Sequence, residues 1–328
     1  RGDALVTAGR PAAAPVTPPR GVDVACVGHP FLDLIFRGLA RIPGPGEEEL
    51  ARELVVVPGA IANVAYALRR LGLEAVVCAP IPDDPAGRFL AELMADAGIP
   101  WLGRHGGAAP VSVALPAHGD RAFVTAAPPP AVDADAVRSV APRAVVADLP
   151  NVPLLPELPS ATAVYAVLGD PEVRVLAGNL PASLDHLRAL ILNEREARAL
   201  TGEPDAAEAA RALASLRTTV VVTRGPDGAV AFEPDGRTAA VPAPRVDVAD
   251  ATGAGDLFTA AYVWADLAGR CLDDRISIAV RYASASLAAA PVGRQKGLTR
   301  AELESGRGAA PTASPAADVA GQKEEERV

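Results

Sequence analysis

Short, unbroken apolar runs recur along this chain with helical segments between them, and that alternation narrows the fold more than any other feature. Ala75-Val76-Val77-Cys78-Ala79, Ala144-Val145-Val146-Ala147-Asp148, Ala163-Val164-Tyr165-Ala166-Val167, Leu190-Ile191-Leu192-Asn193 and Thr219-Val220-Val221-Val222-Thr223 are such runs, and Val22 to Gly28 is another that ends in glycine. A strand with one wet face alternates apolar and polar residues. A run apolar at every position is buried on both faces. Between the runs, Ile61 to Leu71 places Ala62, Ala65, Leu68 and Leu71 on about one helical face, and Gly72 stops that helix. Asp84-Pro85-Ala86-Gly87 opens a helix over Arg88 to Ala97, and Gly98 closes it. Strands interleaved with helices imply an α/β domain with a mostly parallel sheet covered on both sides.

Two stretches break the alternation. Asp33 to Val57 and Val111 to Thr125 read as short strands with Pro/Gly turns, the second a hairpin about His118-Gly119-Asp120. They are expected to form a small sheet beside the main one, inserted at about 33–57 and 111–125. Pro128-Pro129-Pro130 is a stiff connector. Residues 1–20 are rich in Ala, Pro and Gly and read as a flexible tail; residues 305–328 end in a charged run and read as a disordered one.

In a parallel α/β sheet, ligands bind beyond the carboxyl ends of the strands. Gly28, Asn193 and Thr223 fall at such ends, with Asp33 in the loop after Gly28 and Thr223-Arg224-Gly225-Pro226-Asp227-Gly228 after another strand. The densest signal comes late. Asp250-Ala251-Thr252-Gly253-Ala254-Gly255-Asp256 runs straight into the apolar helix Leu257 to Trp264. A glycine turn at a helix start aims free amides and the positive end of the helix dipole at one spot, which suits phosphate-like charge. Asp256 in the first turn stands beside that hole. An anion hole next to a carboxylate is what phosphoryl transfer to a hydroxyl needs. Near a helix N-terminus, Asp256 is expected to stay ionised at its ordinary low pKa, acting through position.

Asn193 and Glu196 are one helical turn apart. They could hold a hydrated Mg2+ ion, or form a capping box at the start of a helix. Pro226-Asp227-Gly228 is first of all a turn, and Asp83-Asp84 a solvated turn and helix cap.

Composition removes several classes. The formal charge of −9 and scattered arginines argue against a nucleic-acid surface. Lysine occurs only at Lys296 and Lys323, which rules out a P-loop lysine and a protein-kinase strand lysine. No run approaches the ~18–20 apolar residues of a membrane helix. Cys26, Cys78 and Cys271 are far apart in apolar runs and read as buried reduced thiols of a cytoplasmic protein. His29, His105, His118 and His186 lack metal spacing and read as loop or surface residues.

The motifs, taken in order, resemble the ribokinase-like (PfkB) family of carbohydrate and nucleoside kinases, over about Val22 to Leu303. Gly59-Ala60-Ile61-Ala62-Asn63 resembles its Gly-Gly-x-x-x-Asn signature, Asp83 to Gly87 its Asp-Asp-Pro-x-Gly turn, Asn193 to Glu196 its Asn-x-x-Glu motif, and Asp250 to Asp256 its late Asp-x-Thr-Gly-Ala-Gly-Asp signature. The resemblance implies a three-layer α/β/α domain over residues 21–304, with a small β-sheet lid. It implies ATP-dependent phosphorylation of a primary hydroxyl on a small sugar. In that reading Asp256 accepts the hydroxyl proton, and Gly253, Ala254 and Gly255 present amides to the γ-phosphoryl. Asn193 and Glu196 organise Mg2+ and the ATP phosphates, and Thr223, Gly225 and Gly228 line the nucleotide site. Asp33, Gly59 and Asn63 bind the sugar. Asp250 and Thr252 stand near a monovalent cation, K+. The lids of some members join two subunits, so a homodimer through the lid is among the implied assemblies.

Three positions depart from the family pattern. Pro58 replaces the first glycine of the pair, Gly297 replaces a serine near the cation, and no acidic sugar contact is evident around Asp148-Leu149-Pro150. The Phe31 loop resembles that of adenosine kinases, which keeps a nucleoside acceptor as a rival to sugar. A silent sugar- or nucleotide-binding sensor is the rival of another class. A dinucleotide oxidoreductase is excluded by placement, because the glycine turn is late and Gly28 begins no Gly-x-Gly-x-x-Gly run.

Overall fold

The computed structural model describes residues 21–117, 120–169, 173, 174, 176, 184, 186–214, 217–246, 251–289 and 297–305. Most of the two expected tails (1–20 and 306–328), the hairpin tip at His118-Gly119 and Asp250 lie outside them.

In chain order the strands are β1 (Val24–Val27), β2 (Pro30–Arg37), β3 (Glu53–Ala60), β4 (Ala75–Cys78), β5 (Trp101–Leu102), β6 (Val111–Ala117), β7 (Asp120–Ala126), β8 (Ala144–Asp148), β9 (Ala163–Val167), β10 (Ala189–Asn193), β11 (Thr219–Thr223), β12 (Ala229–Phe232) and β13 (Thr238–Val241). The helices are α1 (Ile61–Arg70), α2 (Pro85–Asp96), α3 (Ala134–Val140), α4 (Glu194–Thr201), α5 (Ala206–Ala214), α6 (Ala254–Leu267), α7 (Leu272–Ala289) and α8 (Arg300–Glu304).

Nine strands form one sheet in the order β13-β12-β11-β10-β9-β8-β1-β4-β5. From β11 to β5 every pairing is parallel; β12 and β13 add an antiparallel hairpin at one edge. The apolar runs are buried on both faces, as their composition requires. Val24 and Cys26 pack with α1, α2, α6 and α7, whereas Ala25 and Val27 pack with α3. Helices α4 and α5 cover Leu190, Leu192, Val220 and Val222 on that second side. The layers are therefore α/β/α.

Helix α6 is buried nearly all round, through Leu257, Phe258, Ala260, Ala261, Tyr262, Val263 and Ala265. Each large side chain so buried contributes about 1.5–3 kcal/mol. Its C-terminal end is pinned by ions. Asp266 accepts from the Tyr165 hydroxyl at 2.6 Å, from Arg188 Nη2 at 2.6 Å and from Arg275 Nη1 at 2.9 Å. Arg275 also donates to Glu233 Oε1 at 2.5 Å, tying α7 to the end of β12.

The remaining four strands form the expected small sheet, in the order β3-β2-β6-β7. Its bounds differ from expectation. β2 begins at Pro30 and β3 runs to Ala60, so Asp33 lies on a strand and not in a loop. Asp33 pairs with Val57 on one side and Ser112 on the other, and that ladder extends the strand past its proline. Pro58 sits on β3, an edge strand, where a missing N–H is tolerated. Helix α2 starts at Pro85, three residues before the expected start, because Asp84 Oδ1 accepts from Gly87 N–H at 2.7 Å and caps it.

His29 lies in the loop that joins β1 to β2, as expected, and is buried there, with Nε2 3.1 Å from the Pro129 carbonyl. One further expectation is corrected. Cys271 is exposed, in the turn between α6 and α7, while Cys26 and Cys78 are buried. Among the described residues no helix is long and apolar enough to cross a membrane.

Candidate active site

Parallel strands place all their carboxyl ends along one edge. Asp148 ends β8, Asn193 ends β10 and Thr223 ends β11 there, with Asn193 and Thr223 in register. Two cavities open at that edge. The first, of about 310 Å³, lies between the sheet edge and the small sheet and is lined by Asp33, Asp148, Asn193, Glu196 and Asp256 among others. The second, of about 460 Å³, is mostly apolar, with Phe258, Val280, Ala283 and Leu287 on its walls and Gly225 and Gly228 at its rim. Thr223 and Gly255 line both.

The glycine turn stands at this junction. Gly253 precedes α6 in the left-handed region, at φ 79°, and as the N-cap residue it supplies no side-chain cap. Ala254 and Gly255, the first residues of α6, lie on the cavity wall, so the helix dipole faces the cleft. One of the three expected amides is already engaged: Ala254 N–H donates to the Ala251 carbonyl at 3.1 Å, closing the turn. Thr252 is half-buried and lines neither cavity.

Asp256 is half-buried, and its Oδ2 accepts from Asn63 Nδ2 at 2.9 Å. Burial raises its carboxyl to about 6, while the Asn63 bond pulls it the other way. This corrects the expectation of an ordinary low value: loss of water outweighs the hydrogen bond from Asn63. Burial first, and then the charge of Asp256, push Asp33 to about 7. The two acids therefore share one electrostatic environment across the cavity.

Two glycines make room for this acid set. A Cβ on Gly59 would stand 1.9 Å from Asp33 Oδ2, and one on Gly28 would stand 2.2 Å from Asp148 Oδ2. No other residue fits either position without moving a carboxylate. Ala60, which lines the first cavity and precedes α1, holds a positive φ of 52° in spite of its side chain. It fixes the angle at which α1 leaves the small sheet and so aims Asn63, in the first turn, at Asp256.

Asn193 and Glu196 form the capping box. Asn193 Oδ1 accepts from Glu196 N–H at 2.9 Å, and Glu196 Oε2 accepts from Asn193 N–H at 2.8 Å. Both still line the first cavity. At Gly297 a Cβ would stand 3.1 Å from the Tyr282 hydroxyl, so a serine there would press on that buried ring.

The structure thus brings Asp33, Asn193, Glu196, Thr223, Gly255 and Asp256 together on the first cavity, and Thr223, Gly225, Gly228, Ala254 and Gly255 on the second. Gly59, Asn63 and Gly253 support them from behind. Among the residues of the first cavity that sequence reasoning missed, three are polar groups on its opposite walls. Asp148 lies over Gly28, on the neighbouring strand; Ser112 and Thr125 lie on the small sheet, with their hydroxyl oxygens 3.1 Å apart. Period-two spacing from Val111 was the available signal for Ser112; none existed for Asp148 beyond its place at a strand end.

Comparison with known proteins follows the same outline. The signature described as pfkB family carbohydrate kinase matches residues 22–122 and 164–294. The chain is 27% identical to a ribokinase of Bacillus subtilis (strain 168) over 298 residues, which cover 86% of this chain and 98% of that protein. The solved ribokinase of Thermotoga maritima superposes with a TM-score of 0.70 at 19% identity, covering 87% of this chain and 98% of that one. An Arabidopsis thaliana ribokinase complexed with ribose and ATP gives 0.68 at 21% identity, with 87% and 98% covered.

Proposed function

The chain belongs to the pfkB family of carbohydrate kinases, and from that premise we propose that it transfers the γ-phosphoryl of ATP to a primary hydroxyl of a small sugar held in the first cavity. The observation that carries this reading is the placement of Asp256. It lies on the first cavity beside a helix N-terminus, at the point where that cavity adjoins the second.

Asp256 takes the proton from the attacking hydroxyl. An alcohol is a poor nucleophile at neutral pH, and a carboxylate raised to about 6 by burial is a better base than an ordinary one and still ionised at pH 7. Asn63 holds the carboxylate in place through its 2.9 Å bond. The amides of Gly253 and Gly255, with the dipole of α6, receive the phosphoryl oxygens. Thr223, Gly225 and Gly228 border the adenine nucleotide in the second cavity, and Asp33 accepts sugar hydroxyls from the small sheet, which acts as a lid that excludes water.

The donor set suits Mg2+ held through phosphates and water. Among the described residues no group of three His, Cys, Asp or Glu could hold a metal, and Glu196 already receives one backbone N–H. Asn193 and Glu196 would meet its water shell, and the ion when bound neutralises charge on the transferring phosphate. K+ near Thr252 is tested by the dependence of rate on KCl against NaCl.

A nucleoside acceptor is the second reading, because Phe31 lines the first cavity and offers a ring for a base to stack on. A panel of sugars and nucleosides in an ATP-consumption assay separates the two. Turnover of no sugar in the panel would sink the primary reading. Exposed Leu54, Phe123 and Val124 on the small sheet support a homodimer through the lid, which sedimentation tests.

A further inference from the structure

The charges of the two cavities are segregated. Asp33, Asp148, Glu196 and Asp256 line the first, and none of its described lining residues is Lys, Arg or His. The second has Arg245 and no acid among its described lining residues. The cavity of the anionic donor thus carries a cationic side chain, and the described walls of the acceptor's cavity carry acids and no base.

The first cavity is also built to receive hydroxyl donors from two opposite walls. On the small sheet, Asp33 pairs with Ser112 and Ser112 with Thr125, so three polar side chains stand in a row across three strands. All three line the cavity. On the main sheet, Asp148 at the end of β8 lies over Gly28, where any side chain would collide with it. Carboxyl groups accept hydrogen bonds whether or not they carry a proton, so what they select is a ligand rich in O–H donors. A carboxylate or phosphate on that ligand would bring acceptors to acceptors and like charge to like charge in a site shielded from water.

We propose that the acceptor is an uncharged polyol gripped between Asp148 and the Asp33–Ser112–Thr125 row, and that Asp148 sets this selectivity against sugar acids and sugar phosphates. This rests on the kinase reading above and narrows it. Asp148 is a specificity-determining residue; it does not take part in proton transfer.

The test uses the full chain. The neutral acceptor with the highest kcat/KM in a panel of pentoses, hexoses and alditols is compared with its own aldonic acid and its own 1-phosphate, both of which keep the far terminal primary hydroxyl. The neutral compound is expected to lead by about 100-fold or more in kcat/KM. Asp148→Asn should raise KM for the neutral acceptor about 10-fold, leave kcat within about threefold, and narrow the gap to the anionic pair. Ser112→Ala should raise KM by a few-fold without changing kcat, a second readout that does not depend on the β8 position. Calorimetric binding to Asp256→Asn gives an arm free of turnover, in which the neutral compound binds and the acid does not compete. An anionic acceptor used within about threefold of the neutral one, or an unchanged KM in Asp148→Asn, overturns the proposal. Phosphorylation of sugar acids would defeat this inference and leave the kinase reading intact. Selective binding of neutral sugar with no phosphorylation of any acceptor would do the reverse.

Discussion

Asn63 and Asp256, 193 positions apart in sequence, meet through a 2.9 Å hydrogen bond from Nδ2 to Oδ2. The bond links the first turn of α1 to the first turn of α6, so the helix that leaves the small sheet sets the orientation of the buried carboxylate.

Replacing Asp256 by Asn should lower kcat by about 10³-fold or more while the Kd for sugar stays within a few-fold. Asn63 keeps an acceptor in that variant, so the fold is preserved. A rate within tenfold of wild type would remove Asp256 from the role of base.

The pH profile follows from burial. Asp256 works ionised, so kcat/KM should rise with pH through about 6 and level off above it. The Asn63 bond stabilises the ionised form, so Asn63→Ala should move that limb to higher pH. A limb that stays in place in Asn63→Ala would show that the bond does not act on Asp256.

Stability should move in the opposite direction. Asp33 and Asp256 have folded-state values raised to about 7 and about 6, above those of an unfolded aspartate. Their contribution is therefore fully present below the ordinary carboxylate range and is lost as pH rises through those values. Urea unfolding at pH 5 and pH 8 should show the wild type losing more stability than Asp33→Asn across that interval; equal losses would contradict the assignment.

Gly59→Ala should damage acceptor binding more than folding. The new Cβ would lie 1.9 Å from Asp33 Oδ2, and the carboxylate must swing out of the cavity. KM for sugar should rise by about tenfold or more, with far-UV circular dichroism unchanged. An unaltered KM would place Asp33 outside the binding site.

Arg275→Met should be among the most destabilising single changes. The side chains of Arg275 and Asp266 are only 5% and 4% exposed, and the variant leaves buried Asp266 to Arg188 and Tyr165 and buried Glu233 to Arg237. Removing one partner from such a buried ion pair costs up to about 3–5 kcal/mol, measurable by urea denaturation. A loss under ~1 kcal/mol would mean that water reaches the cluster.

Much of the main sheet was legible because a doubly buried strand leaves a local mark, an unbroken apolar run such as Val220 to Val222. The α6 junction was legible for the same reason: glycine spacing and the helix that follows are neighbours in sequence. What stayed hidden depends on neighbours in space. Asp148 enters the cavity because β8 lies beside β1, and strand order is not written in either strand. Asp33 looked like a loop residue because its pairing partners, Val57 and Ser112, are far along the chain. The raised pKa of Asp256 comes from burial, which no single residue encodes. Asn193 and Glu196 show a third case: their spacing fitted both a cap and an ion site, and a capped pair still faces the cavity.

Among the described residues only Thr223 and Gly255 line both cavities. Two chambers that share so little wall let each reactant settle in its own before the other arrives. A molecule tethering a polyol to an adenine nucleotide through a phosphate chain just long enough to thread the gap would occupy both chambers at once. Its second half would bind at the high local concentration that a short tether supplies, and tether length would then serve as a ruler for the path the phosphorus travels.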